Sequence, residues 1–126
     1  MSLDSPLGSG KALSYHEIEA EMIRMMNSQE ELVERLSVLA AEAAEAEAEF
    51  KLTFHVERYN ARSNTEHGRV TADMAEDMAV IASATERGRY LAAQAKFDST
   101  KQAVLTSRSN LESLRSLMAS YRETGG

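Results

Sequence analysis

The chain has 126 residues, a formal net charge of −6 and no cysteine. This length supports one small domain, and the lack of cysteine excludes disulfides, zinc knuckles and thiol nucleophiles. No apolar run approaches the roughly 20 residues that span a bilayer. We therefore expect a soluble, cytoplasmic protein, and the acidic balance argues against nonspecific nucleic-acid binding as its main role.

The N-terminal part of the chain shows where the first helices begin. Residues 1–13 contain Pro6 and no apolar period, which predicts a flexible arm ahead of a single helical domain over 14–123. Ser14 with Glu17, and Ser28 with Glu31, each fit a capping box. The expected segments are a short helix, a break and a long helix, over 15–26, 27–28 and 29–61.

The second half of the chain carries two further start signals. Thr71 with Asp73 opens a helix, and Ser83 with Glu86 marks a joint before a last long helix. Gly88, early in that helix, indicates either flexibility or a close approach at the joint. The expected segments are a connection, a short helix and a long helix, over 62–71, 72–83 and 85–122.

Both long helices carry residues at alternating spacings of three and four, the heptad pattern of paired helices. We call these positions the seam. In the earlier helix they are Leu32, Leu36, Leu39, Ala43, Ala46, Phe50 and Thr53. In the last helix they are Tyr90, Ala93, Phe97, Thr100, Val104, Ser107, Leu111, Leu114, Met118 and Tyr121. The pattern predicts an all-α fold: a long antiparallel, coiled-coil-like hairpin with short flanking helices.

Several apolar residues lie off the seam and need a second surface to cover them. They are Val33, Ala40, Phe54, Leu91, Leu105 and Leu117. We expect the short helix over 72–83, with Met74, Met78 and Ile81, and the one over 15–26 to cover part of this set. Two short helices cannot cover all of it, so the sequence predicts self-association into a helical bundle.

Charge is segregated along the chain. Residues 17–49 hold ten Glu against Arg24 and Arg35, whereas the last long helix is basic. Four basic residues recur there every seven positions, beside the seam, and we call them the basic edge: Lys101, Arg108, Arg115 and Arg122. The preferred interpretation is that this edge faces glutamates, within the chain or across an interface. The alternatives are a stripe that follows a phosphate backbone and a solvated edge with no specific role.

No catalytic motif accompanies this pattern. The residues three before His16 and His55 are leucines, so the Glu-x-x-His motif of di-metal bundles is absent. We therefore predict no catalytic, metal-binding or cofactor-binding residue and no enzymatic activity. The residues expected to matter for interaction belong to the seam: Leu36, Leu39, Phe50, Phe97, Val104, Leu111, Leu114 and Met118.

Three stretches of the sequence carry a family resemblance: E-A-E-A-E-F-K over 45–51, V-T-A-D-M-A-E-D-M-A over 70–79 and L-E-S-L-R-S-L-M-A-S-Y-R-E over 111–123. Together they resemble small all-helical proteins of tailed phages, often encoded among early replication and recombination genes. The resemblance implies a helical accessory protein acting in the host cytoplasm. The resulting hypothesis is a non-enzymatic phage protein that oligomerises and binds a protein partner. The alternative is a nucleic-acid-binding accessory factor that uses the basic edge.

Overall fold

The computed structural model describes residues 14–64 and 68–124. They form three helices and no strand, which confirms the all-α class. The helices are α1 (Tyr15–Ser63), α2 (Ala72–Ala82) and α3 (Ala84–Thr124). The arm predicted for residues 1–13 lies outside the described residues.

Polar caps begin α1 and α2 where the sequence places them. The backbone N–H of Glu17 donates to the Ser14 hydroxyl at 3.2 Å, which satisfies one of the unpaired amides in the first turn of α1. The backbone N–H of Met74 donates to the Thr71 hydroxyl at the same distance. Gly68, just before this second cap, has φ +88°, a left-handed conformation that glycine adopts without strain.

The predicted break near residues 27–28 is wrong, because α1 runs through it without interruption. Ser28 lies inside the helix, where each backbone amide already bonds to the carbonyl four residues earlier and needs no cap. Met25 and Gln29 keep the alternating three–four spacing on to Leu32, so the seam continues in register across this point. Of the two predicted short helices, the first is therefore part of α1.

Ser83 is the joint between α2 and α3, as predicted, although it does not act as a cap for α3. Its hydroxyl donates back to the Ala79 carbonyl oxygen at 2.7 Å. Its backbone N–H donates to the same carbonyl at 2.9 Å, and its own carbonyl accepts from Arg87 at 3.0 Å. A serine bonded to the carbonyl four residues earlier bends a helix without ending its hydrogen-bond ladder.

The described residues form two compact units. The first unit combines residues 14–34, which include the start of α1, with residues 102–124 of α3. The second combines residues 35–64, at the end of α1, with residues 68–101, which include α2 and the start of α3. Within each unit α1 and α3 run antiparallel, as the contacts described below show.

Candidate interaction surfaces

The interior of the first unit is built from large apolar side chains. Ile18 is fully buried and packs against Leu114 and Met118, which are 5% and 8% exposed. Partly buried neighbours complete the cluster: Tyr15, Met22, Met25 and Tyr121. The Arg122 guanidinium, near the end of α3, donates to the Tyr15 hydroxyl oxygen at 3.3 Å. The start of α1 thus lies beside the end of α3.

The structure places the predicted interaction residues of the seam inside both units. In the first unit four of them are buried: Val104, Leu111, Leu114 and Met118. In the second unit Leu39 is buried, whereas three are partly buried: Leu36, Phe50 and Phe97. The five buried side chains pack within the chain, whereas Leu36, Phe50 and Phe97 keep part of their surface exposed.

One polar side chain lies on the continued seam of the first unit. The Gln29 side-chain oxygen is buried and has no hydrogen-bond partner among the described residues. A buried acceptor without a partner costs about 1–3 kcal/mol. Gln29 therefore lowers the stability of this unit.

An aromatic stack joins α1 to α3 in the second unit. The rings of Phe50 and Tyr90 lie 6.0 Å apart and within 10° of parallel. The Tyr90 hydroxyl donates a hydrogen bond to the Glu47 carboxylate, and this bond, together with the negative charge, raises the pKa of Tyr90 above its usual value. Arg89 and Glu49 form an ion pair at 3.8 Å beside the stack. These contacts pair the middle of α1 with the start of α3.

The interior of the second unit consists mostly of small side chains. Apart from Leu39, its buried residues are four alanines and a serine: Ala43, Ala61, Ala75, Ala79 and Ser83. The three members contributed by α2 and the joint are 0% exposed. Small inner residues allow close approach of helices but remove little apolar area from water.

The large apolar side chains of α2 face solvent. Met74, Met78 and Ile81 recur at intervals of four and three and are 50%, 46% and 77% exposed. We call these three residues the α2 stripe. The expectation that they cover apolar positions of the long helices is therefore wrong. The methionines face outward because the joint keeps the helical register of α3. Continuing the three–four spacing of the α3 seam backwards through Ser83 leads to Ala79, not to the methionines, on the inner side of α2.

A second exposed stripe lies on the neighbouring part of α1, and the sequence analysis did not identify it. Leu52, Val56 and Tyr59 are 66%, 45% and 72% exposed at spacings of four and three. We call them the α1 stripe. Tyr59 lines an open cleft that also includes Ala72 of α2, so the two helices lie side by side. The sequence signal that could have identified the α1 stripe is its helical spacing of four and three at positions off the seam.

The basic edge is exposed along its whole length. Arg115 pairs with Glu112 of its own helix at 3.1 Å, and Arg122 bonds to the Tyr15 hydroxyl. Within residues 14–64 and 68–124, Lys101 and Arg108 form no ion pair. None of the four pairs with a glutamate of α1 in this part of the chain. Lys101 belongs to the second unit and the three arginines to the first.

The described residues contain no group of three or more His, Asp or Glu side chains arranged to hold a metal ion. His16 and His55 are exposed, with aromatic neighbours Tyr15 and Phe54 respectively. In the described part of the chain, no helix combines the length and the apolar character required to cross a bilayer.

Comparison with known proteins found no matching family model, no similar curated protein and no similar solved structure.

Proposed function

We propose that this protein is a non-enzymatic helical interaction protein that self-associates into a bundle and binds a protein partner. One observation carries this proposal: among the described residues, more large apolar side chains are exposed to solvent than are fully buried. Fourteen are exposed, from Leu117 at 37% to Ile81 at 77%. Only six are buried: Ile18, Leu39, Val104, Leu111, Leu114 and Met118.

Covering such side chains is favourable by about 25 cal/mol for each Å² of apolar surface removed from water. A two-helix pairing buries one stripe of each helix and leaves the remaining apolar positions to another chain. Exposed apolar faces of this kind mark interaction sites in soluble proteins. The resemblance to tailed-phage proteins supports an accessory role in a host cytoplasm, with no chemistry of its own.

Sedimentation velocity on the purified chain, from about 1 µM to about 200 µM, tests the self-association. The proposal predicts a mass at least twice that of the monomer, with a dissociation constant in this range. A monomer mass throughout the series contradicts it.

A second candidate function is binding to nucleic acid through the arginines of the first unit. The observation that favours it is the exposure of Arg108, Arg115 and Arg122, with Arg108 forming no ion pair within the described residues. A mobility-shift assay at low salt tests it, using single- and double-stranded DNA. Binding that weakens steeply with salt and is lost in an Arg108→Ala/Arg115→Ala variant supports this function. The absence of a shift contradicts it.

A further inference from the structure

We propose that the second unit is a self-complementary docking surface for a second copy of this chain: the α2 stripe of each copy packs on the α1 stripe of the other. This inference rests on the proposed self-association and names the residues that carry it. The α2 stripe is Met74, Met78 and Ile81, and the α1 stripe is Leu52, Val56 and Tyr59.

The apolar part of the argument is the exposure of both stripes. Each has three large side chains at spacings of three and four, which is the pattern that one helix offers to another. Ile81 and Tyr59, at 77% and 72%, are the most exposed large apolar residues described. The unit covers neither stripe itself, because Ala75 and Ala79 occupy the inner side of α2. Methionine suits such a surface because its side chain adapts to the partner.

The charges beside the two stripes are opposite. Beside the α2 stripe lie two carboxylates, Asp73 and Asp77, and α2 contains no Lys or Arg. The remaining carboxylate of α2, Glu76, lines an open cleft together with Arg58 and Arg62 of the same copy. Beside the α1 stripe lie Arg58 and Arg62, against one carboxylate, Glu57. Within the described part of the chain, neither arginine forms an ion pair with a carboxylate of α2. Both sets of charges are therefore available to a second copy.

This complementarity identifies the occupant. An apolar stripe with acidic neighbours fits an apolar stripe with basic neighbours, and every copy carries both in one unit. Two copies can therefore satisfy each other reciprocally, which closes the assembly at a two-fold dimer. Opposite charges beside the apolar contacts fix the register and orientation of the pairing.

The first test replaces the α2 stripe with polar residues that favour helix: Met74→Gln, Met78→Gln and Ile81→Gln in one chain. We expect the dimer dissociation constant to rise by at least about a hundredfold. The matched control is the triple variant Ile23→Gln/Met26→Gln/Val33→Gln in the first unit, because its sites are 55%, 44% and 46% exposed. We expect the dissociation constant of this control to stay within about threefold of the wild-type value.

The second test exchanges charges between copies. Arg58→Glu/Arg62→Glu makes both sides of the surface acidic, and Asp73→Lys/Asp77→Lys makes both sides basic. Each variant alone is expected to lose at least about tenfold in affinity for itself, because like charges then face each other. An equimolar mixture is expected to form a one-to-one heterodimer, since each acidic side then meets a basic side. This readout does not depend on how the α2 triple variant folds.

Sedimentation velocity and circular dichroism together decide the outcome. Loss of the dimer in the α2 triple variant with helix content retained, and heterodimer formation in the charge mixture, support the inference. An undiminished dimer in the α2 triple variant, or a mixture with no heterodimer, overturns it while the proposed self-association stands. A wild-type chain that is monomeric throughout contradicts both proposals.

Discussion

The two units pack in opposite ways although the same two long helices supply most of both. In the first unit the seam buries large side chains, with Ile18 fully inside and Leu111 and Leu114 each 5% exposed. In the second, the fully buried residues are Ala75, Ala79 and Ser83. The first unit thus buries mainly large apolar side chains, whereas the second buries mainly small ones and leaves several large ones exposed.

The exposed apolar residues follow the same division. Nine of the large ones belong to the second unit: Val38, Leu52, Val56, Tyr59, Met74, Met78, Val80, Ile81 and Leu91. Five belong to the first: Ile23, Met26, Val33, Leu105 and Leu117. A helical segment that buries alanine and exposes methionine is stable only where neighbouring helices hold it or a partner covers it. Each prediction below tests whether the interiors differ as described.

The largest effect is expected from Leu111→Asp, because it places a carboxylate in the interior of the first unit. Burying a charge without a partner costs several kcal/mol, and a loss above about 4 kcal/mol removes most of the stability of a small domain. We expect the helical signal at 222 nm to melt early and without a cooperative transition. The matched control is Leu105→Asp on the same helix, where the side chain is 45% exposed. Similar melting of the two variants would contradict the interior assigned to the first unit.

A smaller loss is expected from Ala79→Leu in the second unit. The site is fully buried, and extra methylenes in a packed interior cost about 1–3 kcal/mol. The measurement is the midpoint of urea unfolding followed by circular dichroism. Ala82→Leu, on the exposed side of α2, is the control and should leave the midpoint almost unchanged. If Ala79→Leu stabilises the chain instead, then the small side chains of this unit are not closely packed.

A gain is expected from Gln29→Leu, because it removes a buried acceptor that has no partner among the described residues. Eliminating such a group should raise the free energy of unfolding by about 1–2 kcal/mol. Gln102→Leu, at an exposed site in the same unit, is the control and should give no comparable gain. A stability loss in Gln29→Leu would indicate that the glutamine has a partner that the described contacts do not include.

The seam was predictable from the sequence because its signal is long and repetitive. Alternating spacings of three and four persist from Tyr90 to Tyr121 in α3, and no single substitution can hide such a pattern. The break at Ser28 was predicted because one local capping pattern was weighed above this periodicity. The spacing in fact continues through Gln29, a polar residue at a seam position.

The exposed stripes were less predictable, since spacing shows that a helix has an apolar side but not which side faces inward. In α2 the alanines and the methionines both follow helical spacing. Ser83 decides between them, because it bonds to the Ala79 carbonyl of α2 while its own carbonyl accepts from Arg87 of α3, which keeps the helical register across the joint. Continuing the three–four spacing of the α3 seam backwards through Ser83 leads to Ala79, which lies on the buried side of α2. The proposed packing of the stripes on a second copy involves helices of two chains, and the pattern within one helix does not predict it.

The smallest expected effect tests whether helix propensity in α3, as well as the small size of the buried side chains, limits the stability of the second unit. Gly88 lies in α3, and a Cβ added there would meet no heavy atom within 4 Å. This excludes one of the two roles expected for Gly88 from the sequence, a close approach of another chain segment at the joint. Gly88→Ala should therefore raise the free energy of unfolding by up to about 1 kcal/mol, the helix-propensity difference. Gly68→Ala is the matched control: it also has open space, yet φ +88° strains any residue with a Cβ, so the sign should reverse. Urea unfolding of both variants measures the change in the free energy of unfolding. Equal changes in the two variants would contradict the prediction and would show that helix propensity at Gly88 does not limit the stability of the second unit.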